Sequence, residues 1–217
     1  MQERASLDPG LTRLIHDRSA PLSRDHTERI MENLDKLLIR CADQHENFDL
    51  FLSHMGDLIS RLCGFSEITI ASKDQDDGLY KFKQCFGMRK EAELAYKKLT
   101  YTKEDVLSTQ KYPRIKMNDY LEFYPTEFRP YAEGELETYN RPSQMKFERE
   151  SVEDMLEGDY LCLYFYGPHK EIAGWFELAR TRDGKIPSRE TFKWLELFAA
   201  ITSRVYCEKL LAKKSQK

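Results

Sequence analysis

Two stretches near the start of the chain space their apolar residues as amphipathic helices do. Over residues 24–41 the apolar positions recur at steps of three and four, namely Ile30, Leu34, Leu37, Leu38 and Cys41. Such steps place side chains on one face of a helix. A second stretch repeats the pattern over residues 47–63, and Gly64 follows where a helix stop is expected. We therefore predict two successive helices.

After these helices the period changes to two, which is typical of strands with one buried face. Ile68 and Ile70 alternate with Glu67 and Thr69, and the turn-forming run DQDDG separates them from a second alternating run. Another pair of alternating runs, joined by GPHKE, follows late in the chain. We predict four strands in one antiparallel sheet: residues 67–72, 79–85, 159–166 and 172–179.

The last predicted strand has two different faces. Phe176 and Leu178 point to one side, whereas Trp175 and Glu177 point to the other. We expect the apolar side to pack under a long final helix, so Trp175 and Glu177 should lie on the face opposite that helix. Gly174 could allow another backbone to approach closely, with a simple bulge as the alternative.

That final helix is predicted over residues 188–213. Ser188 is a suitable N-cap, and Glu190 in the first turn complements the helix dipole. The apolar positions that follow lie on about one face: Phe192, Leu195, Phe198, Ala199, Thr202, Val205, Tyr206 and Leu210.

The segment 99–157 has no clear period, because four prolines break it into short pieces. Its aromatic residues alternate with polar ones: Arg114, Lys116, Asn118, Arg129, Asn140 and Arg141. We hypothesise a pocket between this segment and the sheet that binds a small ligand, an anion included. The candidate ligand-binding residues are Trp175, Glu177, Tyr120, Asn118, Arg129 and Tyr131. The alternative is that these aromatics fill a second core without a ligand.

Signals of catalysis are missing from the sequence. It holds no Gly-x-Ser-x-Gly elbow, no phosphate-binding glycine loop and no His-Glu-x-x-His motif. The acidic runs over residues 133–137 and 148–159 are expected to be solvated. We predict no catalytic residues, no metal site and no enzymatic activity, and an unrecognised enzyme is the less favoured reading.

Composition narrows the class of protein further. The net charge is -3, with 34 basic and 37 acidic residues mixed along the chain, which does not favour nucleic-acid binding. No apolar run is long enough for a membrane span, and the first residues lack the apolar centre of a signal peptide. Five scattered cysteines fit reduced thiols. We expect a cytoplasmic protein that binds neither nucleic acid nor membrane.

Two parts of the chain resemble the GAF family of sensor and regulatory domains. The run LCGFSEITI over residues 62–70 is similar to the passage from a GAF domain's first helix into its first strand. The runs DYLCLYFY, KEIAGWFEL and DGKIPS, followed by LELFA at residues 195–199, are similar to the end of such a domain, and the resemblance covers roughly residues 45–212. It implies an α+β fold with a GAF-like central antiparallel sheet, helices on its faces and long N- and C-terminal helices.

The resemblance also implies function and organisation. Many GAF domains are small-molecule sensors or dimerisation modules, so we expect a signal-transduction domain, with a ligand-free scaffold as the alternative. Bilin-binding members, the phytochromes among them, commonly use a Cys followed by His, and none of the five cysteines here precedes a His. The cofactor and the ligand therefore stay unknown, and a signalling protein is a possible partner.

The predicted division of the chain is a flexible arm over residues 1–23, a dimerisation helix over 24–44 and a GAF domain over 45–213. We expect a homodimer because the two end helices have more apolar surface than one small sheet covers. The competing reading is that the first helix folds back on its own domain.

Overall fold

The computed structural model describes residues 10, 11, 13, 14, 24–41, 47–128, 134–146 and 148–215. The helices are α1 (Arg24–Cys41), α2 (Phe48–Cys63), α3 (Lys90–Tyr96), α4 (Lys103–Leu107) and α5 (Arg189–Ser215). The strands are β1 (Phe65–Lys73), β2 (Tyr80–Phe86), β3 (Thr100–Tyr101), β4 (Ile115–Lys116), β5 (Leu121–Tyr124), β6 (Tyr160–Tyr166) and β7 (Ile172–Thr181). Among these described residues no helix combines the length and the apolar character that a bilayer span requires.

All seven strands belong to one antiparallel sheet. Their order is β3-β2-β1-β7-β6-β5-β4, so β1 from the start of the domain pairs with β7 from its end. The four strands predicted from alternation are β1, β2, β6 and β7, and they lie side by side at the centre of the sheet. The predicted α+β fold with a central antiparallel sheet and helices on its faces is confirmed.

The predicted helix ends are also found. The Asn47 side chain accepts a hydrogen bond from the backbone N–H of Leu50 at 2.8 Å, which satisfies one of the free donors of α2. Gly64 ends α2 with a φ of 77°, a left-handed conformation that favours glycine. At α5, the hydroxyl of Ser188 accepts from the backbone N–H of Thr191 at 3.3 Å.

The two faces of the sheet pack against different partners. On the helix face, Phe176 and Leu178 join the large core that α2 and α5 cover. On the other face, called the cavity face from here on, Trp175 lies in a separate cluster with Tyr80 and Phe82. The prediction that Trp175 and Glu177 lie opposite the final helix is confirmed, because one strand register places both on the cavity face.

Gly174 is a point of close approach, as expected. A Cβ at this position would lie 2.3 Å from the Ala71 carbonyl oxygen and 2.4 Å from Cζ of Phe165. Gly174 also borders a register irregularity, because Phe165 pairs with Gly174 whereas Tyr166 pairs with Ile172, which leaves Ala173 as an extra residue of β7. Gly174 therefore lies both at a close steric approach and beside a bulge.

Helix α1 folds onto its own domain. Ile30, Leu34 and Leu37 are buried in the core on the helix face, so the expectation of an uncovered stripe that faces a second chain is wrong for these three residues. Leu38 of the same predicted stripe is 38% exposed. A helix that packs on the core of its own chain has the same three-and-four spacing of apolar residues as one that packs on a second chain. Most of the predicted arm over residues 1–23 lies outside the described residues, but Leu11 within it is fully buried in the same core.

Candidate functional site

The cavity face carries a floor of polar and aromatic side chains. Trp175 and Glu177 of β7 pair across the ladder with Tyr164 and Cys162 of β6. Directly paired residues of an antiparallel sheet point to the same side, so these four side chains share the floor. The next pair outward, Tyr160 with Tyr124 of β5, extends it as two stacked rings 4.5 Å apart.

Residues from the segment after α3 form the walls and leave a cavity above this floor. Its first lobe encloses about 720 Å³, the opening to solvent included. Without the space open to solvent, the volume of the lobe is about 60 Å³. This is below the roughly 300–1,000 Å³ of drug-sized ligand sites, so a ligand held inside it has to be small. The lining residues are Tyr96, Leu99, Tyr101, Val106, Lys111, Tyr112, Pro113, Tyr124, Glu135, Thr138, Tyr160, Cys162, Tyr164, Trp175 and Glu177.

Trp175 is held in place by the rings around it. The ring centroids of Tyr80, Phe82, Tyr101 and Tyr164 lie 5.2, 6.1, 6.2 and 6.4 Å from its own. Tilted and edge-to-face pairs at these separations stabilise an aromatic cluster beyond the area that they bury. The indole is thus a fixed part of the first lobe.

Two carboxylates of the first lobe accept hydrogen bonds from its aromatic residues. Oε1 of Glu135 accepts from the hydroxyls of Tyr101 at 3.0 Å and Tyr112 at 2.7 Å. Oε1 of Glu177 accepts from Nε1 of Trp175 at 3.1 Å. Within residues 133–137, which the sequence predicts to be solvated, Glu137 is exposed, whereas Glu135 is half-buried because these two phenols hold its side chain in the wall.

A third carboxylate lies on the cavity face beside the floor, because Glu122 of β5 pairs directly with Cys162. Oε2 of Glu122 accepts from the hydroxyls of Tyr164 at 3.0 Å and Tyr124 at 3.3 Å, and the two hydroxyls are 2.8 Å apart. The guanidinium of Arg114 lies 2.6 Å from the same oxygen and 5.7 Å from the centroid of the Tyr124 ring. Burial raises the pKa of both Tyr124 and Tyr164 well above the usual range. Both phenols are therefore protonated donors at neutral pH.

The second lobe adjoins the first and shares Tyr96, Thr138, Tyr160 and Glu177 with it. It encloses about 530 Å³, again with its opening. Its wall is more polar than that of the first lobe, with several ionisable side chains among the lining residues: Glu67, Glu157, Asp159 and Arg180.

Charge pairs connect the walls of the second lobe. Nη2 of Arg141 lies 3.0 Å from Oε1 of Glu67 and 3.2 Å from Oε2 of Glu157. The side-chain amide of Asn140 donates to Oε1 of Glu67 at 3.0 Å. Burial raises the pKa of Glu157 above its usual value.

Asp159, which directly precedes β6, connects the loop before that strand with the segment after β5. It is fully buried, accepts backbone N–H bonds from Thr126 and Leu156 at 2.8 Å each, and pairs with Arg149 at 2.9 Å. The expectation that residues 148–159 are solvated is wrong for this residue. Arg149 and the two backbone donors offset only part of the cost of burying this carboxylate, because burial still raises the pKa of Asp159 from 3.8 to about 6.

The structure brings together some of the residues predicted from sequence. Trp175 and Glu177 line the first lobe. Tyr120 packs instead against the core on the helix face, and the side-chain amide of Asn118 donates to Oε1 of Glu196 on α5 at 2.8 Å. Neither lines the first or the second lobe. The remaining two candidates, Arg129 and Tyr131, lie outside the described residues.

The polar residues that suggested an anionic ligand are engaged with carboxylates. Besides Arg114, Asn118, Asn140 and Arg141, this holds for Lys116, whose Nζ lies 3.1 Å from Asp119. Arg129 again lies outside the described residues. The anion expectation therefore gains no support from the residues that the structure describes.

Sequence reasoning missed several residues of the first lobe. Tyr160, Cys162 and Tyr164 alternate with the buried Leu161 and Leu163 along β6, so their parity could have placed them beside Trp175. Tyr101, Tyr112 and Glu135 come from a segment without a period, and their sequence carries no comparable signal. In the described part of the chain no group of three or more His, Cys, Asp or Glu is arranged to hold a metal ion.

Comparison with known proteins supports the fold. No family model and no curated protein matches the chain. Among solved structures, it is similar to the phytochrome photosensory core module of Stigmatella aurantiaca at 12% identity and a TM-score of 0.51, with 86% of this chain and 38% of that chain covered. A bacteriophytochrome from R. palustris gives 12% identity and a TM-score of 0.50, with 84% and 38% covered.

The GAF domain of an Acinetobacter phosphoenolpyruvate-protein phosphotransferase is also matched, at 10% identity and a TM-score of 0.49, with 85% of this chain and 93% of that chain covered. At such low identities a likeness concerns the fold alone. The chain has a GAF-like fold, as its sequence predicts.

Proposed function

We propose that this chain is a signal-transduction domain that binds a small molecule in the first lobe of the cavity. The observation that carries the proposal is the lobe itself, a space lined by seven Tyr and Trp rings and two hydrogen-bonded carboxylates. Ligand sites are typically concave, mostly aromatic or apolar, and supplied with a few oriented polar groups.

We propose further that the domain is not an enzyme. The thiol of Cys162 lies on the floor of the first lobe, and burial raises its pKa well above the usual range, so it is a poor nucleophile. Glu135 and Glu177 accept hydrogen bonds from phenol and indole groups, which orients them as acceptors. Binding without turnover is the function that this arrangement supports.

The alternative is a ligand-free scaffold. One observation favours it, because Trp175, Tyr80, Phe82 and Tyr164 form a second hydrophobic cluster that fills part of the space under the segment 99–157. In that case the tyrosines stabilise the fold, and the cavity beside them holds only water.

Thermal unfolding against a panel of cationic, neutral and anionic metabolites tests the proposal. A ligand that binds the folded state raises the unfolding temperature by an amount that depends on its concentration and dissociation constant. Leu99→Trp should block the first lobe and abolish the shift, because Leu99 is half-buried in its wall. Leu197→Trp is the matched control, since Leu197 is 40% exposed on α5 across the sheet. A flat response of the unmodified protein to the entire panel favours the scaffold.

We also propose a homodimer, through a surface of α1 that keeps Leu38 from the stripe that the sequence suggested and adds Met31 and Ile39. The buried stripe of α1 is not available, but Met31, Leu38 and Ile39 are exposed by 56%, 38% and 73%. Met31 and Leu38 are seven residues apart and share a face of α1, with Ile39 beside Leu38. A second copy of α1 is the expected partner, and a monomer is the alternative. A cytoplasmic location and a signalling protein as partner stay predictions.

A further inference from the structure

We propose that the first lobe binds a small organic cation of the alkylammonium class, held between its aromatic rings and the carboxylates of Glu135 and Glu177. The inference rests on the proposed function, since it names the class of ligand for the same lobe.

The lining is first of all aromatic. Seven of its fifteen residues are Tyr or Trp: Tyr96, Tyr101, Tyr112, Tyr124, Tyr160, Tyr164 and Trp175. The π-system of such a ring has a negative face that attracts a cation within about 6 Å of the ring centroid. Rings gathered around one space can therefore replace part of the water that an ammonium group loses on binding.

Hydrogen bonds make these rings better partners for a cation. Tyr101 and Tyr112 donate their hydroxyl protons to Glu135, and the indole N–H of Trp175 donates to Glu177. A donor bonded to a carboxylate is polarised, which shifts electron density toward its ring. Beside the floor, Tyr124 and Tyr164 donate to Glu122 in the same way.

The charged residues of the lining also favour a cationic ligand. The described lining residues include two carboxylates, Glu135 and Glu177, and one cation, Lys111. Nζ of Lys111 lies 2.7 Å from Asp105, outside the lining, and 5.4 Å from the centroid of the Tyr112 ring. Two rings of the lobe thus already contact a cation of the chain itself, Tyr112 with Lys111 and Tyr124 with Arg114. An anionic ligand would be placed against both carboxylates.

Two tryptophans on opposite sides of the sheet allow a direct test. Trp175 lines the first lobe, whereas Trp194 is buried in the core on the helix face, and the chain has only these two. In a Trp194→Phe variant, emission reports on the lobe alone. Choline should change that emission in a saturable way. Its neutral isostere 3,3-dimethylbutan-1-ol should need a concentration about tenfold higher or more, because it lacks the charge that the rings and carboxylates attract.

Charge-removing variants then locate the binding site. Glu135→Gln keeps the length of the side chain and an acceptor for the tyrosine hydroxyls, and it should weaken choline binding about tenfold while leaving the isostere unchanged. Glu137→Gln is the control, since Glu137 is two residues away and exposed. Glu177→Gln makes the same test at the other carboxylate if Glu135→Gln does not fold by circular dichroism.

Equal affinity for choline and its neutral isostere would overturn the inference, and so would choline binding that neither carboxylate variant weakens. A different outcome overturns the choice of a cation but not the proposed function. In it, choline, tetramethylammonium and primary alkylamines do not bind, whereas a neutral or anionic metabolite raises the unfolding temperature and Leu99→Trp abolishes that rise. If no compound of the metabolite panel raises the unfolding temperature, both this inference and the proposed function are overturned.

Discussion

Replacement of Gly174 by alanine tests the close approach at the centre of the sheet. The added Cβ would lie 2.3 Å from the Ala71 carbonyl oxygen and 2.4 Å from the Phe165 ring, where ordinary contact begins at 3.4 Å. Neither neighbour can yield freely. Ala71 belongs to the ladder between β1 and β7, and the fully buried ring of Phe165 packs against those of Phe48 and Tyr206.

The magnitude follows from these contacts. Overpacking of a filled core costs about 1–3 kcal/mol, and displacement of about 1 Å against both ring and backbone is at the upper end. Alanine restricts the unfolded chain and returns about 0.4–1 kcal/mol. We expect Gly174→Ala to lower the free energy of unfolding by about 2 kcal/mol, which is a fall in melting temperature of roughly 4–8 °C for a chain of this size.

Urea unfolding followed by circular dichroism measures the effect. Gly167→Ala is the matched control, because Gly167 has a φ of -90° and its added Cβ would meet only side chains, with Cε1 of Tyr206 at 3.2 Å. The double variant with Gly174→Ala and Phe165→Leu should lose less stability than the two single losses added together, because the smaller side chain removes one of the two obstacles to the new Cβ. If Gly174→Ala is as stable as Gly167→Ala, the steric account of this glycine is wrong.

Three further perturbations address other parts of the chain. Asp159→Asn should cost about 3 kcal/mol in urea unfolding, because it leaves the buried Arg149 with one carboxylate fewer. The backbone N–H of Asp76 and the ammonium of Lys81 lower the pKa of Asp74 from 3.8 to about 2. Its ionised carboxylate therefore stabilises the fold above pH 4, and this stabilisation is lost between pH 4 and 2. In that pH range the Asp74→Asn variant should lose stability less steeply than the unmodified protein. Ile39→Asp should convert a dimer into a folded monomer in sedimentation at micromolar concentration.

Each of these three has a control or a contrary outcome. Asp119→Asn removes an exposed carboxylate that also pairs with a cation, and it should change stability by less than about 0.5 kcal/mol. Parallel acid-denaturation curves for Asp74→Asn and the unmodified protein would contradict the assigned role of Asp74. A sedimenting monomer without any substitution would contradict the homodimer. Leu34→Asp with Leu37→Asp cannot decide this question, because both residues are buried in the core and the double variant should unfold.

Regular elements were predictable because their periods reflect burial on one face. The alternation around Ile68 and Ile70 located β1, and the opposite parities of Phe176 and Trp175 assigned the two faces of β7 correctly. The same rule led to a wrong prediction for α1. An apolar stripe indicates that a helix face is buried, but it does not indicate whether the chain's own core or a second chain buries it. Here the chain's own core covers Leu34, and a second copy is not needed for that.

The walls of the cavity could not be predicted in the same way. Tyr101, Tyr112 and Glu135 meet through hydrogen bonds between residues 23 and 34 positions apart, in a segment of short strands and turns. Such contacts depend on the path of the loop, and no repeat in the sequence encodes that path. Acidic residues in a loop are usually solvated, so Glu135 became recognisable as part of the site only once its two phenol donors were located.

The choice between Phe and Tyr across the sheet connects the fold with the proposed site. The fully buried rings on the helix face include Phe51, Phe165, Phe176 and Phe198, whose edges need no hydrogen-bond partner. The first lobe is lined by six tyrosines instead, and four of their hydroxyls donate to the carboxylates of Glu122 and Glu135. A dry core gains nothing from these hydroxyls, because each buried polar group then requires a partner. Rings with satisfied, polarised hydroxyls around an open space suit a ligand that is neither apolar nor anionic, which is why an alkylammonium group is the first class to test.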